Sequence, residues 1–200
     1  MDEKERHSAF MSALVTEHLV LQAAASATVS EAAARASLYV YSLSSCLVAM
    51  GFASRSSEVF RPFAAAVLPA VFILGIFTIA RLDDTGLEYQ QALRGIARIR
   101  GYYCTITPEA ATYFSADNGR WPEKRSAPRF WSGAFVALLT TAASMIAFTN
   151  SVVAGACVVL LVAGLVGSDR IGLALSLGAA AAVALMALFI AYQRRRYRSF

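Results

Sequence analysis

The sequence predicts an all-α membrane protein with four transmembrane helices and cytoplasmic helical extensions. Three observations lead there. The 200 residues are 58% hydrophobic with a mean hydropathy of +0.54, a composition of membrane proteins rather than soluble domains. Most of the charged residues, 16% of the chain, lie in the termini and one central segment. Between them lie apolar stretches that reach the roughly 20 residues a helix needs to cross about 30 Å of hydrocarbon.

The number of spans turns on residues 130–166, an almost unbroken apolar run with Asn150 near its middle. As one straight helix it would measure about 55 Å, too long for one span and tight for two. Two spans would have to turn at Thr149, Asn150 and Ser151, where neither Gly nor Pro is present to turn the chain. Charge decides between the readings, because cytoplasmic flanks collect Lys and Arg. Spans at about 36–53, 62–80, one within 131–166 and 171–192, with the N-terminus inside, put fifteen of the 18 basic residues on the cytoplasmic side. Only Arg55, Arg61 and Arg170 fall outside. A fifth span would send Arg194, Arg195, Arg196 and Arg198 outside. The run is therefore expected to be one long helix whose first turns project into the cytoplasm, with Gly133 and the pair Thr140 and Thr141 as softening points. Both termini are expected in the cytoplasm and the protein in the inner membrane.

In order, residues 1–35 are expected to form a cytoplasmic or interfacial amphipathic helix. Phe10, Leu14, Leu21 and Ala25 recur at helical spacing. The segment holds five acidic residues and lacks the short apolar core of a cleavable signal peptide. Residues 36–80 form the first transmembrane hairpin. Its first helix carries Ser37, Tyr41, Ser44 and Ser45, which at 100° per residue share about a third of the circumference. Such a stripe serves either interhelical hydrogen bonding or the wall of a polar path. Pro62 suits the first turn of span two and Pro69 should kink it.

Residues 81–129 read as a cytoplasmic helical segment, in which span two continues to about 105–107 before Pro108. Leu82, Tyr89, Leu93, Ile96 and Tyr103 share one face and Arg94 and Arg98 another. Residues 109–114 suit a short second helix, and 115–128 a loop. Arg94, Arg98 and Arg100 are the candidate contacts for anionic lipid or a partner protein. Trp121, Phe130 and Trp131 suit an interfacial belt. Residues 130–193 form the second hairpin, and 194–200 a basic tail. Ala143, Ala147, Ser151 and Gly155 lie four apart in span three, with Thr140 and Ser144 near the same face. Ala174, Gly178 and Ala182 repeat the ladder in span four. Such ladders bring helix backbones close. Asn150 is expected to be buried in the bilayer, either as a hydrogen-bonding link between helices or in a pore.

The chemistry of known catalytic motifs is missing. There is no phosphate loop, zinc-protease motif or nucleophile elbow. Cys46, Cys104 and Cys157 are isolated, and the only histidines are His7 and His18. Asp83, Asp84 and Glu88, a DDxxxE arrangement at the inner mouth of span two, have the chemistry to bind a divalent metal or act on a lipid head group. They lack partner ligands elsewhere, and Arg81 is close enough to neutralise them. No enzyme activity, metal or cofactor is expected. The net charge of +5 is cytoplasmic bias spread over several segments and not a nucleic-acid footprint. Arginine greatly outnumbers lysine, which together with abundant alanine suggests a high-GC bacterial genome.

The runs RASLY at 35–39 through Gly51 and Phe52, RIRGYY at 98–103 and NSVVAG at 150–155 resemble small bacterial multi-pass membrane proteins. More loosely, spans followed by a cytoplasmic helical segment resemble small membrane effectors attached to bacterial defence systems. The resemblance implies no activity. The leading expectation is a non-enzymatic, self-associating integral membrane protein, a homo-oligomer acting as a pore or membrane effector. A membrane scaffold docking a cytoplasmic protein through its inner helices comes second, and a lipid-directed enzyme third.

Overall fold

The computed structural model describes residues 2–114, 141–166 and 170–198. Among them every regular element is helical: α1 (Glu3–Ala53), α2 (Ser57–Ile106), a 3-10 turn (Pro108–Thr112), α3 (Ala142–Val166) and α4 (Ile171–Arg198). All four α-helices are long and apolar enough to cross a membrane, so the chain has the build of a multi-pass membrane protein.

The expected amphipathic helix and first span are one element. α1 runs unbroken through residue 35. A change from polar to apolar side chains does not break a helix, and α1 has no Gly before Gly51 and no Pro at all. α2 likewise passes from apolar to polar sequence without interruption. It starts at Ser57, which places Pro62 inside the helix rather than in its first turn. The Phe60 amide already bonds the Ser56 carbonyl at 2.9 Å. The expected stop before Pro108 is observed, and 109–114 forms only the 3-10 turn and the residues after it.

α3 passes straight through Thr149, Asn150 and Ser151, so the amide sits within a helix and not in a hairpin. The helix begins at Ala142 because Thr141 caps it: the Ser144 amide donates to Thr141 Oγ1 at 3.2 Å. The expected extension over 130–140 lies outside the described residues, as do Thr140, the loop 115–128, Trp121, Phe130, Trp131 and Gly133.

Two compact units can be described separately. One takes residues 2–33 and 83–114, the other 34–82, 141–166 and 170–198. In the first, the start of α1 packs on the end of α2. Leu21 lies against Gly95, where a Cβ would come within 2.7 Å of Leu21 Cδ1. The Phe10 and Tyr102 rings meet edge to face at 5.5 Å. Ala25, Leu87, Ala92, Ile96 and Ile99 form the apolar core, with Thr28, Asp83 and Thr85 buried among them.

A seven-residue register runs along both long helices. On α2 the inward positions alternate in steps of four and three: Ala64, Leu68, Val71, Gly75, Thr78, Leu82, Thr85, Tyr89, Ala92, Ile96, Ile99 and Tyr103, each buried or half-buried. On α1, Met11, His18, Ala25, Ala32, Tyr39, Cys46 and Ala53 lie seven apart and none is fully exposed. This is the seam spacing of helices that pack at a shallow angle in coiled-coil fashion.

In the second unit the expected small-residue ladders meet. A Cβ on Gly155 would stand 2.7 Å from the Gly178 carbonyl oxygen and 3.2 Å from the Ala182 methyl. Ala174 is wholly buried. The α3 and α4 backbones touch because neither residue of the glycine pair carries a side chain.

Candidate functional site

The polar centre of the second unit is Asn150, 3% exposed. Its Nδ2 donates to the Phe72 carbonyl at 3.2 Å, and its Oδ1 accepts from the Tyr39 hydroxyl at 3.2 Å. One amide thus ties α3 to both α1 and α2. Gly75 makes the room. A Cβ there would lie 2.1 Å from Asn150 Oδ1 and 2.3 Å from its Cγ, well inside contact distance. The amide occupies the space that any other residue at position 75 would fill. The Phe72 carbonyl has two lone pairs, so it can serve the ladder of α2 and the amide together.

The other polar side chains of α3 are also committed within the chain. The Ser144 hydroxyl lies 2.9 Å from that of Thr141 and 3.4 Å from Gln193 Oε1 on α4. Ser151 donates to the Ala147 carbonyl one turn back at 2.8 Å. An apolar cavity of 450 Å³ opens beside Asn150, lined by Phe72, Ile76, Ala147, Leu185, Phe189 and Tyr192 among others.

The hydroxyl stripe of α1 goes elsewhere. Ser37, Tyr41, Ser44 and Ser45 are all exposed, Tyr41 at 69%. Among the described residues from 36 to 53, Tyr39 alone is buried. The structure therefore does not bring the α1 stripe together with Ser144, Asn150 and Ser151. Thr140, the remaining residue of that group, lies outside the described residues. Tyr39 is the residue that the hydroxyl pattern misses. It could have been found from the seven-residue spacing that links it to His18, Ala25 and Ala32.

In the first unit Arg94 and Arg98 are exposed on one face of α2, one turn apart, while Arg100 is half-buried. His18 sits in the seam of α1 with its Nδ1 enclosed and without a hydrogen bond among the described residues. Burial, and secondly the Arg100 guanidinium, hold its pKa below the ordinary 6.5. Asp83 is 1% exposed, Asp84 is intermediate and Glu88 is exposed, so the three carboxylates do not converge on one open face. Among the described residues no group of three or more His, Cys, Asp or Glu side chains could hold a metal ion. The three cysteines are free.

Compared with known protein families, curated proteins and solved structures, the chain matches none.

Proposed function

We propose that this chain is a non-enzymatic integral membrane protein that self-associates through the outward face of α1, and that any polar path it forms lies between copies. One observation carries the reading. Ser37, Tyr41, Ser44 and Ser45 share a face in the apolar part of α1, are exposed, and have no hydrogen-bond partner among the described residues. In hydrocarbon a hydroxyl without a partner is costly. A second copy offers the same hydroxyls in return, as a self-complementary contact requires. The inward amide and hydroxyls of α3 are already committed, which leaves α1 as the polar surface to be satisfied.

Both termini belong on the cytoplasmic side in this reading. Four spans return the chain to the side it started from, and the excess of basic residues supports that side as the interior. A span takes about 20 residues, whereas α1 has 51 and α2 has 50. In this reading the first unit is cytoplasmic and the membrane is a bacterial inner membrane.

Cysteine crosslinking in membranes tests the contact. With Cys46, Cys104 and Cys157 replaced by alanine, Ser37→Cys or Ser44→Cys should yield a disulfide-linked dimer. Leu173→Cys, exposed on α4, should not. Equal crosslinking at all three positions, or none at the α1 positions, contradicts the reading. If the shared surface conducts, liposome flux should be lost on Ser44→Leu.

A second reading has its own observation. Val15, Leu19, Val20 and Val29 on α1, and Arg94 and Arg98 on α2, are all exposed in the first unit. That surface suits a docked cytoplasmic protein. Activity that survives Ser44→Leu but not loss of Arg94 and Arg98 would favour it.

A further inference from the structure

We propose that the groove between the first third of α2 and the last third of α3 holds one anionic phospholipid of the bilayer, its acyl chain in the groove and its phosphate on Arg61. The groove has a volume of 260 Å³ and is lined by Arg61, Ala65, Leu68, Pro69, Cys157 and Gly164, with a few further small or apolar residues.

Three features define its occupant. First, the lining is apolar along its length and polar at one end. α2 and α3 run antiparallel here, since Gly75 and Phe72 meet Asn150 while Arg61 shares the groove with Gly164. Arg61 and Gly164 therefore mark one end, and Pro69 and Cys157 the other, about 12 Å along α2 at 1.5 Å per residue. Second, the space is real. A Cβ placed on Gly164 meets nothing within 4 Å, and Ala65 leaves the facing wall equally low. Volumes of about 300 Å³ and above suit compact small molecules. The lining residues extend this space over about 12 Å of α2, a length that takes part of a single acyl chain. Third, both walls belong to helices long and apolar enough to span a membrane, and in a membrane such a space borders lipid rather than water.

The charge at the mouth selects the lipid. Arg61 is exposed and has neither an ion pair nor a hydrogen bond among the described residues. It sits at the polar end of an acyl-sized groove, on the membrane side of the turn between α1 and α2. A guanidinium there can bond a phosphate with two parallel N–H donors while its stem lies along the apolar wall. An added net negative charge on the head group favours this position over a zwitterionic one. The groove is built from α2 and α3 and is independent of self-association through α1.

Native mass spectrometry of the protein extracted from nanodiscs tests the site, using phosphatidylglycerol and phosphatidylcholine with identical chains in equal amounts. The wild type should retain a lipid with phosphatidylglycerol in excess. Arg61→Gln should lower that excess about fivefold, the equivalent of about 1 kcal/mol for one basic residue near an anionic surface. Arg55→Gln, an exposed arginine on the same side but outside the groove, should leave it unchanged. Gly164→Leu, which grows into open space, should displace the retained lipid of either kind. Equal retention of the two lipids by the wild type overturns the proposal. So does an identical loss with Arg55→Gln, or full retention in Gly164→Leu.

Discussion

Gly75→Ala should disrupt the link between α1, α2 and α3, and it should do so only while Asn150 is present. The new methyl would fall 2.1 Å from Asn150 Oδ1, 2.3 Å from Cγ and 2.7 Å from Nδ2. No carbon tolerates these distances, so the amide must swing away and give up both its bonds. Interhelical hydrogen bonds in membranes average about 0.6 kcal/mol each and reach about 1.7. The Tyr39 hydroxyl, on a side chain 1% exposed, would also lose its partner, at about 1–3 kcal/mol. The loss comes to about 2–4 kcal/mol, offset by about 1 kcal/mol because Ala favours a helix over Gly. A net destabilisation of about 1–3 kcal/mol should appear in reversible unfolding in mixed micelles. The double-mutant cycle is the sharper assay. Asn150→Ala removes all three atoms that the new methyl would strike, so Gly75→Ala made on top of it should be neutral or stabilising. If Gly75→Ala costs the same in both backgrounds, or nothing in the wild type, the reasoning is wrong.

Further outcomes follow from the same geometry. Tyr39→Phe should cost about 1 kcal/mol by freeing Asn150 Oδ1, whereas Tyr41→Phe, at an exposed position, should leave single-chain stability within about 0.5 kcal/mol; denaturant titration of both variants compares them. Gly178→Ala should destabilise by about 1–3 kcal/mol, because its Cβ would lie 2.4 Å from Val159 Cγ2 and 2.7 Å from the Gly155 oxygen; Gly164→Ala, facing open space, should cost nothing in the same assay. His18 has a pKa lowered from 6.5 in the folded chain, so below that pH the unfolded chain binds a proton that the folded one resists. Stability of the first unit should therefore hold above about pH 6.5 and fall as the pH drops toward the folded value. Amide hydrogen exchange should show this loss in residues 3–33 and 83–106, and His18→Gln should reduce it.

The features legible in the sequence are those set by length and by single residues. Four apolar stretches of spanning length give four helices, and Pro108 ends α2 two residues after Ile106. A lone amide in an apolar run is buried because its only satisfactory partners in hydrocarbon lie on neighbouring helices. The ladders around Gly155 and Gly178 meet because close backbones require them. Less legible was which face of α1 turns inward. Grouping hydroxyls at 100° per residue selects Tyr41 with Ser37 and Ser44, and overlooks Tyr39. The deciding pattern is a seven-residue register spread over the whole helix, carried by dissimilar residues such as His18, Ala32 and Cys46. Arg35 and the shift to apolar residues change the side chains but leave the backbone ladder intact. For that reason α1 has no boundary there.

The central claim is that copies of this chain meet through α1. The mass of the purified protein in nanodiscs tests it most directly. A discrete oligomer that falls to monomer on Ser44→Leu, and remains intact on Leu173→Ala, is the predicted result. A wild-type protein that runs as a clean monomer would contradict the claim. The exposed hydroxyls of α1 would then need a partner other than this chain.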